Sequence, residues 1–191
     1  QSDVPHKRYL NDYLTGKWRG SSARGELYND DPRLGDARLC GTTASLCGAE
    51  HDPQRALAKI EMLHAFLLTL SGVPVLYSGD EIGQKNDYTY HADVFKREDS
   101  RYLHRGAFSW EDAEKRTDSA SWQGRNYHAI AKLIRICREN PAFHPQADVW
   151  TFDTGSNYVL GIGRYCQGQK LLSIFNFGYI KYNIPADREY V

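Results

Sequence analysis

Apolar residues recur at helical spacing in three stretches of this chain and alternate at strand spacing near its end. In residues 5–16, PHKRYLNDYLTG, Tyr9, Leu10, Tyr13 and Leu14 repeat behind a proline and Gly16 offers a stop, so a short helix is predicted. From Ala56 to Leu70, Leu57, Ile60, Leu63, Leu67 and Leu70 recur at intervals of three and four, the strongest helical signal present. Asp52 before Pro53 is its predicted N-cap and Gly72 its terminator. A third helix is predicted over about residues 122–138, with Ile130, Leu133, Ile134 and Cys137 on one face.

The segments between read differently. KWRGSSARGELYNDDPRLGD, residues 17–36, shows no sustained period and is predicted to be a long loop; the small, apolar ARLCGTTASLCG after it suits a tightly packed helix. VPVLY, residues 73–77, is apolar on both parities, as a strand covered on both faces would be, and with the helix before it reads as half of a parallel α/β unit. After ENPAFHP, the runs DVWTFDT, YVLGIGRY and KLLSIFNFG alternate between turn residues and predict an antiparallel sheet, which places a boundary near residue 145.

Composition narrows the function. The 24 lysines plus arginines balance the 24 aspartates plus glutamates, so no global field draws the chain to nucleic acid or an anionic membrane, and neither is expected as a partner. The longest apolar stretch is too short and too interrupted to span a bilayer. Cys40, Cys47, Cys137 and Cys166 lack CxxC spacing and no histidine set completes a metal pattern, so no metal is expected, the thiols read as reduced and the compartment as cytoplasmic. A chain that opens on QSDVPHK without methionine reads as an excerpt.

Three constellations carry candidate chemistry. Asp80 and Glu81, after Tyr77 and a small-residue turn, are adjacent carboxylates; neighbours near a strand end point to opposite sides and cannot easily flank one glycosidic bond, so they read as cleft-edge or structural groups. Arg97, Arg101 and Arg105 recur every four residues, with Asp99 or Ser100 competing to start the turn; Arg101 reads as a group that holds a carboxylate in fixed orientation, while for Arg97 and Arg105 that reading and surface ion pairs to Glu98 and Asp99 stand equally. Tyr88, Tyr90 and Phe95 lie in the loop beyond the apolar run, where they either line a cleft or anchor the loop, and His91 and His104 read as structural.

With these residues in place, LSGVPVLYSGDEIG resembles the eighth strand and following turn of the α-amylase clan of (β/α)8-barrel glycoside enzymes. HKRYLNDYLTGKWRGSSARG, GDARLCGTTASLCG and REDSRYLHR resemble, in the same order, segments beyond the seventh strand of amylosucrases and related sucrose-cleaving enzymes. The resemblance implies an α/β C-terminal fragment of a (β/α)8 barrel over residues 1–145, followed by the start of an antiparallel β-sandwich-type domain over 146–191. It implies that the nucleophile, the acid/base and the transition-state-stabilising carboxylate all precede Gln1, so that the chain holds no catalytic residue. Arg101 would pair with a carboxylate at the base of a sucrose pocket, Arg38 would face the acceptor side, Tyr9 would stand near its entrance, and Lys7 replaces the arginine of amylosucrases. No cofactor is implied. The expected partners are sucrose or an α-glucan, the missing N-terminal part of the same enzyme, and a second copy in a homo-oligomer. The competing expectation is a non-catalytic module that binds carbohydrate or protein.

Overall fold

An aspartate followed by proline is a strong helix entry, because the carboxylate satisfies an orphan amide and the proline lacks one. In the computed structural model, which describes residues 4–184, Asp52 Oδ1 accepts from Arg55 N at 3.0 Å and a helix runs Pro53–Thr69. In chain order the elements are α1 (Val4–Leu14), β1 (Glu26–Asp31), β2 (Asp36–Cys40), α2 (Thr43–Leu46), α3 (Pro53–Thr69), α4 (Trp110–Glu114), α5 (Trp122–Glu139), β3 (Asp148–Phe152), β4 (Val159–Cys166) and β5 (Gln169–Asn176). Contacts divide the chain into two compact units. One comprises Gln1–Glu61 and Leu76–Ala129, the other Met62–Val75 and Ile130–Val191.

The first unit is built on small residues. Ala44, Cys47 and Ala49 meet Ala56 and Ile60 in a fully buried cluster, with Trp122 packed against it. Burial pushes the Cys47 thiol up to about 11, so it behaves as a small apolar group. The line of full burial on α3 is therefore Ala56 and Ile60, continuing to His64, rather than the leucine stripe its spacing suggests, and Leu63 is exposed. Ala44, Ala49 and Ala56 permit a close approach around Ile60.

The predicted loop at residues 17–36 is corrected here. Its second half is strand β1, which pairs antiparallel with β2 in the register Glu26 to Cys40, Leu27 to Leu39 and Tyr28 to Arg38. The register slips after Tyr28, where Asn29 adopts φ 50°, a left-handed conformation that asparagine tolerates. The helix predicted over ARLCGTTASLCG shrinks to α2, where the Thr42 side chain caps by accepting from Ser45 N.

VPVLY also departs from expectation. Residues 73–77 belong to no helix or strand, and Val73 and Val75 are 89% and 76% exposed. A strand of a parallel sheet draws its hydrogen bonds from neighbours on both sides, and both sheets described here are antiparallel.

In the second unit the three predicted strands form the sheet β3-β4-β5, with Val159 opposite Asn176 and Trp150 opposite Gly163. The glycines of YVLGIGRY have a packing reason. A Cβ at Gly163 would lie 2.1 Å from the Trp150 ring and one at Gly161 2.4 Å from the Phe152 ring, so the bare backbone makes room for two aromatics across the ladder.

Arg164, on β4 and only 3% exposed, fixes this unit to the end of α3. Its guanidinium donates to Thr69 O at 2.8 Å and Leu70 O at 3.4 Å, carbonyls that the helix end leaves open, and to Ala142 O at 2.7 Å and His144 O at 3.3 Å. Replacing Arg164 by methionine keeps the stem and strands these carbonyls. Urea unfolding of the variant is expected to show a loss of about 2–4 kcal/mol; a loss under about 0.5 kcal/mol would show that water takes over the carbonyls without penalty.

Candidate active-site wall

The predicted site residues all lie in the first unit. Arg101 sits in a 3-10 turn, Ser100–His104, whose N-cap is Asp99, settling the competition with Ser100. Asp99 accepts from Arg101 N at 3.0 Å, and the Arg101 side chain returns to it as a fork, Nε to Oδ1 at 2.8 Å and Nη2 to Oδ2 at 2.6 Å. These bonds hold the Asp99 carboxyl at about 2, below its ordinary 3.8. The guanidinium also lies over the Tyr28 ring at 4.5 Å. Because the turn ends at His104, Arg97 and Arg105 do not share a helical face with it; Arg97 pairs with Glu98 at 3.2 Å.

Tyr28 links two predicted positions. It is the cross-strand partner of Arg38, so both side chains stand on one face of the hairpin and Arg101 joins them there. Arg38 is exposed, and its side chain forms no hydrogen bond or ion pair among the described residues. Lys7 donates to Asp36 Oδ1 at 2.6 Å and ties α1 to the start of β2, while Tyr9 stands on the same helix, edge-on to Trp18 at 4.9 Å.

Asp80 and Glu81 occupy a separate turn. Asp80–Ile82 forms one 3-10 turn between Gly79 at φ 100° and Gly83 at φ 63°, conformations that a Cβ disfavours. Glu81 Oε2 folds back to accept from Gly79 N at 2.8 Å, and the Asp80 carbonyl accepts from Asn126 Nδ2 at 2.6 Å. Trp122 Nε1 donates to Gly83 O at 3.1 Å, so α5 holds the turn from behind. Tyr77, half exposed, lies edge-on to His104 at 5.8 Å. Burial and Arg105 lower the His104 pKa, and its Nδ1 accepts from Gly41 N at 3.4 Å.

Two groups had no pattern to announce them. The carboxamide of Asn86 accepts from Thr42 N at 2.8 Å and donates to Arg24 O at 2.5 Å and to the Tyr88 hydroxyl at 3.2 Å. Its own N–H donates to Ser45 Oγ at 2.9 Å. Glu26 accepts from His91 Nε2 at 3.0 Å and from the buried Tyr90 hydroxyl, whose pKa burial and Glu26 raise together. Tyr90 thus anchors the loop, whereas Tyr88 helps line a cleft of about 570 Å³ with Thr15, Lys17, Arg24, Glu26 and Asp30. Phe95 is 94% exposed. No group of three or more histidine, cysteine or acidic side chains among the described residues could hold a metal ion, and no described helix is long and apolar enough to cross a membrane.

A polar cleft with β1 along one side and Tyr88 at its edge suits the binding of a hydroxyl-rich ligand, and relatives bear on its class. No family model matches the chain. Over 134 residues it is 31% identical to the glucosylglycerate phosphorylase of Escherichia coli K12, an alignment covering 69% of this chain and 23% of that enzyme. Over 138 residues it is 24% identical to the 1,4-alpha-glucan branching enzyme GlgB of Corynebacterium diphtheriae, covering 66% of this chain and 16% of that one. The trehalulose synthase MutB of Pseudomonas mesoacidophila MX-45 shares the fold, with a TM-score of 0.54 at 20% identity over 72% of this chain and 33% of that one. The chain is related to the glycoside hydrolases and transferases of the α-amylase clan, and it spans less than a quarter of the length of either enzyme relative aligned by sequence.

Two measurements test the wall. The Asp99 carboxyl, followed by carbon-detected NMR, is expected to titrate near 2 and to return to the ordinary aspartate range in Arg101→Ala. Because its pKa is depressed in the fold, the pair stabilises fully above the ordinary value and loses that contribution as pH falls towards 2. In Asn86→Asp the donor facing Arg24 O becomes an acceptor. A loss of about 2 kcal/mol in urea unfolding is expected there, and an unchanged midpoint would remove Asn86 from its place at the centre of the wall.

Proposed function

We propose that this chain is part of a retaining enzyme that cleaves the glucosyl bond of sucrose and passes glucose to water, phosphate or a glucan. In this reading residues 1–145 are the C-terminal portion of a (β/α)8 barrel and residues 146–191 begin a β-domain. The chain supplies pocket walls, while the nucleophile and the acid belong to a preceding segment of the same enzyme. The observation that carries the reading is the Asp99–Arg101 fork seated on Tyr28 opposite Arg38, a rigid and directional polar wall of the kind that orients a sugar. The unpaired, exposed run at residues 73–77 adds support, since its open peptide groups suit neighbouring barrel strands. The clan relationship supplies the chemistry: a carboxylate displaces the leaving group to give a covalent glucosyl intermediate, which the acceptor then opens with net retention.

The relative that is 31% identical is a phosphorylase, which favours phosphate as the acceptor among the three. The rival reading is a carbohydrate- or protein-binding module without turnover.

Assaying fructose release separates these. The 191-residue chain alone is expected to release none from sucrose, and the full enzyme that contains it is expected to release fructose readily. Arg101→Ala in that enzyme is expected to lower kcat/KM for sucrose by about 100-fold. Glucose 1-phosphate formed in phosphate buffer would identify the phosphorylase branch. Sucrose turnover by the isolated chain, or binding without turnover by the full protein, would overturn the proposal.

A further inference from the structure

A second cleft in the first unit, of about 480 Å³, shares no lining residue with the first. Its frame is built from several side-chain bonds. Gln84 pins residues 107–109 by donating to Ala107 O at 3.1 Å and accepting from Ser109 N at 3.2 Å. Ser109 caps α4 by accepting from Asp112 N at 3.2 Å, and Asp112 accepts from Gln123 of α5 at 2.7 Å. This frame presents Trp110, 76% exposed and edge-on to Phe108 at 4.9 Å, beside Tyr127.

Glu81 and Arg116 line the same cleft but form no ion pair with each other. Glu81 commits one oxygen to Gly79 N, and Arg116 commits Nη1 to Ala113 O at 2.8 Å. Their other side-chain polar atoms have no partner among the described residues. A ligand that satisfies both must donate to a carboxylate and accept from a guanidinium, while offering a flat apolar face to an indole. A phosphate would be repelled by Glu81 and a simple cation by Arg116. Hydroxyl groups both donate and accept, and a pyranose carries them around its rim while its C–H face remains apolar. The cleft volume lies in the range of small-molecule sites.

We propose that the cleft between the Asp80–Ile82 turn and α4 is a saccharide-binding site in which a pyranose ring stacks on Trp110 while Glu81 and Arg116 bind its hydroxyls. The inference rests on the carbohydrate reading above but does not require that sucrose be the substrate.

The test uses the full protein that contains this chain and maltotriose as the probe. Saturating maltotriose is expected to shield one exposed tryptophan from acrylamide quenching. In Trp110→Phe that shielded fraction is expected to vanish. In Arg116→Gln, which leaves the reporter in place, the maltotriose midpoint is expected to rise about tenfold, the size of a charged hydrogen bond to ligand. An unchanged midpoint in Arg116→Gln, shielding that persists in Trp110→Phe, or shielding by glycine but not by maltotriose would each overturn the site. Fructose release from sucrose is measured separately, so failure of the sucrose reading is told apart from failure of this cleft.

Discussion

The carboxamide of Asn86 is the constraint on which the candidate wall depends. One side chain and its own amide reach the backbone of Arg24, the N–H of Thr42 at the cap of α2, the Ser45 hydroxyl and the Tyr88 hydroxyl. These groups belong to three stretches of chain, and Asn86 bonds to all three. A carboxamide is suited to this work because it donates and accepts from one rigid plane. Once the Arg24 segment is tied to the Tyr88 loop, Glu26 at the start of β1 comes within reach of Tyr90 and His91, and the first cleft acquires both its charged sides.

The Asp99–Arg101 pair works by a different principle. The aspartate caps its turn and the arginine returns to the cap, so one carboxylate fixes both backbone and guanidinium. Tyr28 then limits the remaining freedom of the guanidinium plane. Such an arrangement places a planar cation without a long side chain left to search, which is a prerequisite for orienting a substrate group.

What the sequence disclosed follows the strength of its periodicities. α1, α3, α5 and the sheet β3-β4-β5 were legible because an apolar face repeats over many residues. The hairpin β1-β2 was not. ELYNDD carries four acids or amides in six residues and shows no alternation, DARLC is only five residues long, and the hairpin is tied to the turn at residues 100–104 by Ser100 Oγ, which donates to Leu27 O. VPVLY erred in the other direction, because its composition describes burial that needs strands on either side. Arg101 could be singled out from its neighbours Asp99 and Ser100. Asn86 could not, since a lone asparagine in a polar loop looks the same whether it holds three segments or none.

The glycines on either side of Asp80–Ile82 restrict how this region can change over generations. Gly79 and Gly83 both hold left-handed backbone, and a Cβ at Gly83 would stand 2.5 Å from the Trp122 indole. Every single-base change of a glycine codon that encodes a different amino acid introduces a Cβ. A replacement at either position is therefore strained from the first step, and tolerated change in this turn falls on the side chains it presents, Glu81 among them.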